Sequence, residues 1–206
     1  LVVKPQEAEA VCRALSPFLQ SSQLILSVMA GVSTQSLRLW LNEHRSIVRA
    51  MPNLPARFQE GVSALCCPLE VLPAAQAAAE DILHSFGRVI RVDSELLVDA
   101  ATAVSGTGPA YFFYLVEQLE LVAQEFGFSR EQATALVRTT MRGSARMLLE
   151  DSDSAARMRE RVTSKGGTTE AAFRVLEGAG VGERFQEAIR SAFMCARQMS
   201  AGKSEP

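Results

Sequence analysis

The stretch Arg88-Val89-Ile90-Arg91-Val92-Asp93-Ser94-Glu95-Leu96-Leu97-Val98-Asp99-Ala100-Ala101-Thr102-Ala103-Val104 decides the fold of this 206-residue chain. Residues 88–92 read as a strand, with Val89, Ile90 and Val92 supplying the β-branched character that suits a sheet. Asp93 or Ser94 can cap a helix reaching about residue 104. Beyond that point no strand pattern returns. We therefore place a boundary at residues 92–95 and expect two domains of different class, 1–92 and 93–206.

Upstream, strands and helices alternate. Leu1-Val2-Val3-Lys4-Pro5 reads as the end of a buried strand, with proline opening a helix over residues 5–20. An apolar strand at 24–28 leads into a tight turn at Ala30-Gly31, and Ser33 can cap a helix over 34–42. Strands at 47–51 and 62–66, an alanine-rich helix over 73–86 and the strand at 88–92 complete an α/β layer expected to be mostly parallel. An apolar strand at a free end needs neighbours, so a further segment is expected to precede Leu1.

Downstream, every pattern is helical. A turn at Ser105-Gly106-Thr107-Gly108 precedes a long helix opened by Pro109 and closed by Gly127. Ser129 and Gln132 form a capping-box pattern for a helix to about residue 150. Helices follow over 154–161, 169–177 and 182–199, and the tail 201–206 is expected to fray. The long helix carries Tyr111, Phe112, Phe113, Leu115, Val116, Leu119, Leu121 and Val122 on more than one face. One helical layer cannot bury all of them, so a second copy of the chain is expected to cover one side, the alternative being a fully central helix within one monomer.

The chain is 48% hydrophobic and 21% charged, with a formal net charge of −2, and lacks the basic footprint of nucleic-acid binders. No apolar run approaches the length of a membrane span. The expectation is a cytoplasmic protein with neither nucleic-acid nor membrane partner. Cys12, Cys66, Cys67 and Cys195 show no CxxC spacing and have only His44 and His84 as imidazole partners, so no metal site is expected. Cys66 and Cys67 fall in an alternating segment, one facing in and one out, and read as free thiols.

Chemistry is suggested in two places. In Val162-Thr163-Ser164-Lys165-Gly166-Gly167-Thr168-Thr169-Glu170-Ala171-Ala172-Phe173, two glycines let the backbone approach a ligand, and Thr168 or Thr169 can cap the next helix. Unpaired N–H groups and the positive end of a helix dipole would meet there and favour a carboxylate or phosphate. An ordinary loop with its N-cap fits the same residues. The second place is a set of three turns, at 3–5, 30–32 and 51–55, each just beyond a strand. Open α/β sheets bind ligands at the carboxyl ends of their strands. Asn53 offers donors and an acceptor, although connecting turns stiffened by proline and glycine read equally well. Gly106-Thr107-Gly108 lacks the preceding strand and third glycine of a dinucleotide fingerprint and reads as an interhelical turn. Glu150, Asp151 and Asp153 read as a solvated connection.

Together, Val-Lys-Pro at 3–5, Ala-Gly-Val at 30–32, Met-Pro-Asn-Leu-Pro at 51–55, Ser-Gly-Thr-Gly-Pro-Ala-Tyr at 105–111 and Thr-Ser-Lys-Gly-Gly-Thr-Thr-Glu-Ala at 163–171 resemble the pyrroline-5-carboxylate reductases. Order and spacing match over essentially the whole chain. The last two motifs are specific to that family, and the first three also occur in related β-hydroxyacid-dehydrogenase-like reductases. The resemblance implies an α/β part plus an all-α part: the C-terminal portion of a Rossmann-type NAD(P)-binding domain, then a helical dimerisation domain. It implies reduction of the C=N bond of 1-pyrroline-5-carboxylate to L-proline, the last step of proline biosynthesis, with hydride from NADPH or NADH. By the same resemblance Ser164, Gly166, Gly167, Thr168 and Thr169 bind the substrate carboxylate, with the Thr169 hydroxyl near the ring nitrogen as the catalytic group. Val3, Lys4, Pro5, Ala30, Gly31 and Asn53 would form the cofactor ledge. Homodimers that assemble into pentamers of dimers, or decamers, are implied as well.

Two departures accompany the resemblance. The family's first strand and glycine fingerprint, roughly 60 residues or about two βα steps, have no counterpart, so this chain alone is expected to be inactive. Lys165 stands where many members carry proline, adding a charge beside the carboxylate site and loosening the turn. Two other readings are a related Rossmann reductase of another imine or keto acid and, for this chain, a non-catalytic dimerisation module. The GGTT turn argues against the first, whose members place a lysine-based proton donor on the long helix.

Overall fold

The computed structural model describes residues 1–201. The chain divides into two compact units, Leu1–Pro109 joined by the residues from Ala188 onward, and Ala110–Glu187. In the first unit β1 (Ile25–Ser27), β2 (Ile47–Met51), β3 (Gly61–Cys66) and β4 (Gly87–Val92) form one sheet in that order. β1 and β2 are parallel with Leu26 opposite Val48, and β3 and β4 are parallel with Ala64 opposite Ile90. Between these pairs β2 and β3 run antiparallel, with Ala50 opposite Leu65. The layer is thus mostly parallel, as expected, with one antiparallel step. Residues 52–60 are too short a link for a parallel crossover, which takes about a dozen residues or more, so the chain must reverse there.

Successive strand residues enter different cores, as the pleat requires. Ile25 and Ile47 pack with Ala8 and Cys12 of α1 (Ala8–Leu15) and with Leu37 and Trp40 of α2 (Thr34–Trp40). Val48, Ala50 and Leu65 pack with Ala79 and Leu83 of α3 (Pro73–His84). Helices therefore cover both faces of the sheet. The helix expected over 5–20 is shorter than its pattern, because Pro17, which has no N–H to donate, turns the chain into a 3-10 segment at Ser16–Phe18. The strand expected at residues 1–3 reduces to Leu1, whose carbonyl accepts from the Val28 N–H and whose amino group donates to the Leu26 carbonyl. Ser33 caps α2 as expected, its Oγ accepting from the Ser36 N–H at 3.1 Å.

After β4, α4 (Glu95–Ala101) leads into a π-helical turn, Thr102–Gly106, where the sequence suggested three more helical residues and a tight loop. The Thr107 N–H reaches the Thr102 carbonyl at 2.8 Å. Thr102, Ser105 and Thr107 hydroxyls donate back to the carbonyls of Val98, Ala101 and Thr102, drawing the backbone out of the α ladder. A Cβ on Gly106 would lie 2.8 Å from Cε of Met51, so glycine makes room for that side chain.

Next come α5 (Gly108–Glu125), α6 (Arg130–Glu150), α7 (Ala155–Arg161), α8 (Thr168–Gly178) and α9 (Val181–Ala201), whose last turns belong to the first unit. The expected Ser129–Gln132 capping box opens α6. Arg161 pairs with Asp151 and Asp153 at 2.9 and 3.0 Å, so the acidic link between α6 and α7 is an ion-paired connection. Among the described residues of the second unit only Ala133 and Val137 are buried. No described helix is long and apolar enough to cross a membrane. Residues 202–206 of the tail expected to fray lie outside the described residues.

Candidate active site

Local hydrogen bonds bring the GGTT turn to the start of α8. Thr163 closes α7, its hydroxyl donating to the Arg159 carbonyl and its N–H to that of Glu160. The Gly167 N–H then donates to the Ser164 carbonyl at 3.0 Å, across Gly166 in the left-handed conformation at φ 74°. A Cβ on Gly167 would collide with the Ser164 Oγ, so only glycine allows that hydroxyl to lie over the backbone.

Gly167 is the N-cap of α8, and neither threonine caps it; Thr168 and Thr169 are its first two residues. This corrects the sequence reading. No side chain caps α8; the Glu170 carboxylate instead reaches back past the N-cap and accepts from the Gly166 N–H at 2.7 Å, holding the turn. The first intrahelical bond runs from the Ala171 N–H to the Gly167 carbonyl. Backbone N–H groups of Thr168, Thr169 and Glu170 therefore have no intrahelical acceptor, and the helix dipole adds positive potential there. With the Ser164 and Thr168 side chains exposed and Thr169 half-buried, the turn offers hydroxyls and N–H groups to an anion. Glu170 escaped the sequence reading, although an acid three residues beyond an N-cap is the mark of such a reach-back.

The three strand-end turns share one edge of the sheet, because Leu1, β1 and β2 run in the same direction. Val3 packs on the first core, Lys4 is exposed, and Pro5 opens a 3-10 turn. Ala30 is half-buried and Gly31 buried at φ 65°. A Cβ on Gly31 would run into Met199 of α9, so the helix takes up the close approach this glycine permits. Asn53 spends its Oδ1 on the Val62 N–H at 2.9 Å, which leaves its amide hydrogens, and not the acceptor also expected, available to a ligand. The six residues hold one cation, amide donors and no carboxylate, a set that fits an anionic dinucleotide.

One interaction had no warning in the sequence reading. Arg49, inside the strand Ile47-Val48-Arg49-Ala50-Met51, is buried and paired with Glu95 and Asp99. A charge within a buried apolar strand is itself the signal, since it must find partners. The neighbouring thiols are passive. Burial, with Glu95 adding to it, pushes the Cys66 thiol up to about 11, and burial raises Cys67 as well. No group of three or more His, Cys, Asp or Glu among the described residues is placed to hold a metal. In the second unit α5 and α6 enclose a groove of about 580 Å³ lined by Phe112, Phe113, Val116, Met141 and the Glu120–Arg138 pair.

A family model described as pyrroline-5-carboxylate reductase dimerisation matches residues 95–199. The pyrroline-5-carboxylate reductase of Pseudomonas aeruginosa is 42% identical over 205 residues, which are 100% of this chain and 74% of that protein. Among solved structures, a pyrroline-5-carboxylate reductase from Coxiella burnetii superposes with a TM-score of 0.87 at 39% identity, over 97% of this chain and 74% of that one. The Plasmodium falciparum pyrroline carboxylate reductase with NADP bound gives 0.90 at 29% identity, over 97% and 79%.

Proposed function

Because the chain belongs to the pyrroline-5-carboxylate reductase family, we propose that its GGTT turn holds the substrate and its sheet-edge ledge the nicotinamide dinucleotide. The reaction is reduction of the C=N bond of 1-pyrroline-5-carboxylate to L-proline with NAD(P)H, carried out by a homo-oligomer. NADPH or NADH, when bound, supplies the hydride. Ser164, Gly166, Gly167, Thr168 and Thr169 hold the carboxylate at the start of α8, where free N–H groups and the helix dipole orient the ring. The Thr169 hydroxyl stands beside the ring nitrogen. As the carbon takes hydride, the nitrogen takes a proton, which this hydroxyl steers from solvent. Val3, Lys4, Pro5, Ala30, Gly31 and Asn53 form the ledge.

One observation carries the reading: the left-handed Gly166 and the Ser164 hydroxyl over Gly167 build an anion cradle directly before α8. In the full-length enzyme Thr169→Ala should lower kcat by about 10²-fold, with Thr169→Ser recovering most of it. An unchanged kcat in a folded Thr169→Ala removes the hydroxyl from the mechanism.

The finer organisation belongs to the same proposal. Residues 1–92 serve the dinucleotide and 93–206 dimerisation and substrate, a division supported by the family match beginning at residue 95. Copies pair through the helical part and assemble as pentamers of dimers; light scattering should give ten chains, and a mass of two reduces the assembly to the dimer. Four free cysteines fit a reducing cytoplasm.

A further inference from the structure

Arg49 is 1% exposed and lies two residues before Met51, where β2 gives way to the ledge turn containing Asn53. Its Nη1 donates to Glu95 Oε2 at 3.2 Å. Nη2 donates to Asp99 Oδ1 at 2.6 Å and to Ser200 Oγ at 3.4 Å, and the Ser200 hydroxyl in turn donates to Asp99 at 2.9 Å. Glu95 carries the chain of contacts onward. It accepts the Thr34 N–H at 3.0 Å and also the Thr34 hydroxyl. Thr34 is the first residue of α2, three residues beyond Gly31 of the turn on which Met199 sits. One guanidinium thus gathers the end of β2, the start of α2 and the last turn of α9.

Stability alone gives little reason for such an arrangement. Well-packed apolar residues often replace a buried ion pair without loss. Here the Arg49 Nε–H is buried with no hydrogen-bond partner among the described residues, an added cost. An apolar side chain of similar volume could fill the space but could not hold the Thr34 N–H and hydroxyl through a carboxylate. Position is what the network supplies.

We propose that Arg49 and Glu95 are positioning residues for the dinucleotide, fixing the Ala30-Gly31 turn through Thr34 and the Met51–Asn53 turn through the β2 backbone. This rests on the ledge reading of the proposed function. The substrate turn at 163–170 belongs to the other unit, so the effect falls on one substrate only.

The test uses the full-length enzyme with Glu95→Gln, Thr34→Val, Arg49→Lys and Arg49→Met, each checked for folding by circular dichroism. The NADPH dissociation constant and KM should rise about tenfold in Glu95→Gln and Thr34→Val, the worth of a charge-assisted hydrogen bond. KM for 1-pyrroline-5-carboxylate and kcat should stay within roughly twofold, inside the variation of surface substitutions. Arg49→Lys should retain more NADPH affinity than Arg49→Met. If Arg49→Met does not fold, the two milder variants decide. Unchanged NADPH binding in folded Glu95→Gln and Thr34→Val, or equal rises for both substrates, overturns the proposal. Ala30→Leu separates the two readings, since it fills the turn itself. Weakened NADPH binding there, with none in Glu95→Gln, rejects the tether and keeps the ledge; no change in either rejects both.

Discussion

In the first unit Leu37, Val48 and Leu65 vanish into two cores on opposite faces of a sheet, whereas in the second Phe113, Leu119 and Leu149 remain 60, 58 and 86% exposed. Both units draw on the same kinds of side chain. The α/β part builds two buried cores within one chain, because helices on both faces close over the strands, although Phe18, Phe58 and Leu69 stay exposed. The helical part distributes its apolar residues around α5 and α6 and leaves many of them exposed, in the region that matches a dimerisation family model. Burial of the two cores is therefore an intramolecular matter, and burial of the helical part's apolar residues is tied to assembly.

Phe113→Asp tests that contrast most severely. A carboxylate placed in an apolar contact cannot be desolvated without a partner, at a cost of several kcal/mol. Light scattering should show the homo-oligomer falling to a smaller species, and an unchanged mass would mean that copies do not meet on this face of α5. Leu65→Ala should act in the opposite sense. Unfolding free energy should drop by about 2–5 kcal/mol with the mass unchanged; a change in mass would tie the sheet to the assembly after all.

The smallest effect concerns the link between α6 and α7. The Asp153 backbone N–H and then the Arg161 guanidinium hold the Asp151 carboxyl below its usual range. A carboxyl whose value is lowered on folding stabilises the folded state above its unfolded value, about pH 4, and that contribution is lost as pH falls through the lowered value. Because the group is exposed, screening keeps the contribution small. Asp151→Asn should make unfolding slightly less steep in pH below about pH 4, in urea titrations followed by circular dichroism. An unaltered pH profile would show that the ion pair forms without contributing.

The legible features have local causes. Ser33 and Ser129 cap the helices that they precede, each accepting from an N–H three residues on. The two glycines of the GGTT turn likewise announced a chain reversal before a helix. Even there the threonines were misassigned as caps, because Gly167 takes the N-cap position and α8 begins at Thr168. The antiparallel step from β2 to β3 was present in the length of the link but masked by the alternation of strands and helices around it. Asn53 looked like a free amide because its partner, Val62, belongs to the next strand.

The passage from α/β to helical character at residues 92–95, the principal helices and the motifs at 51–55, 105–111 and 163–171 were all readable in the chain, since periodicity, caps and glycine turns act over a few residues. The grouping around Arg49 was not. Its partners Glu95, Asp99 and Ser200 lie 46, 50 and 151 residues further along. Met199 over Gly31 is a contact of the same kind. A buried charge demands a partner, but any of many acids could answer until packing brings two of them to the end of β2.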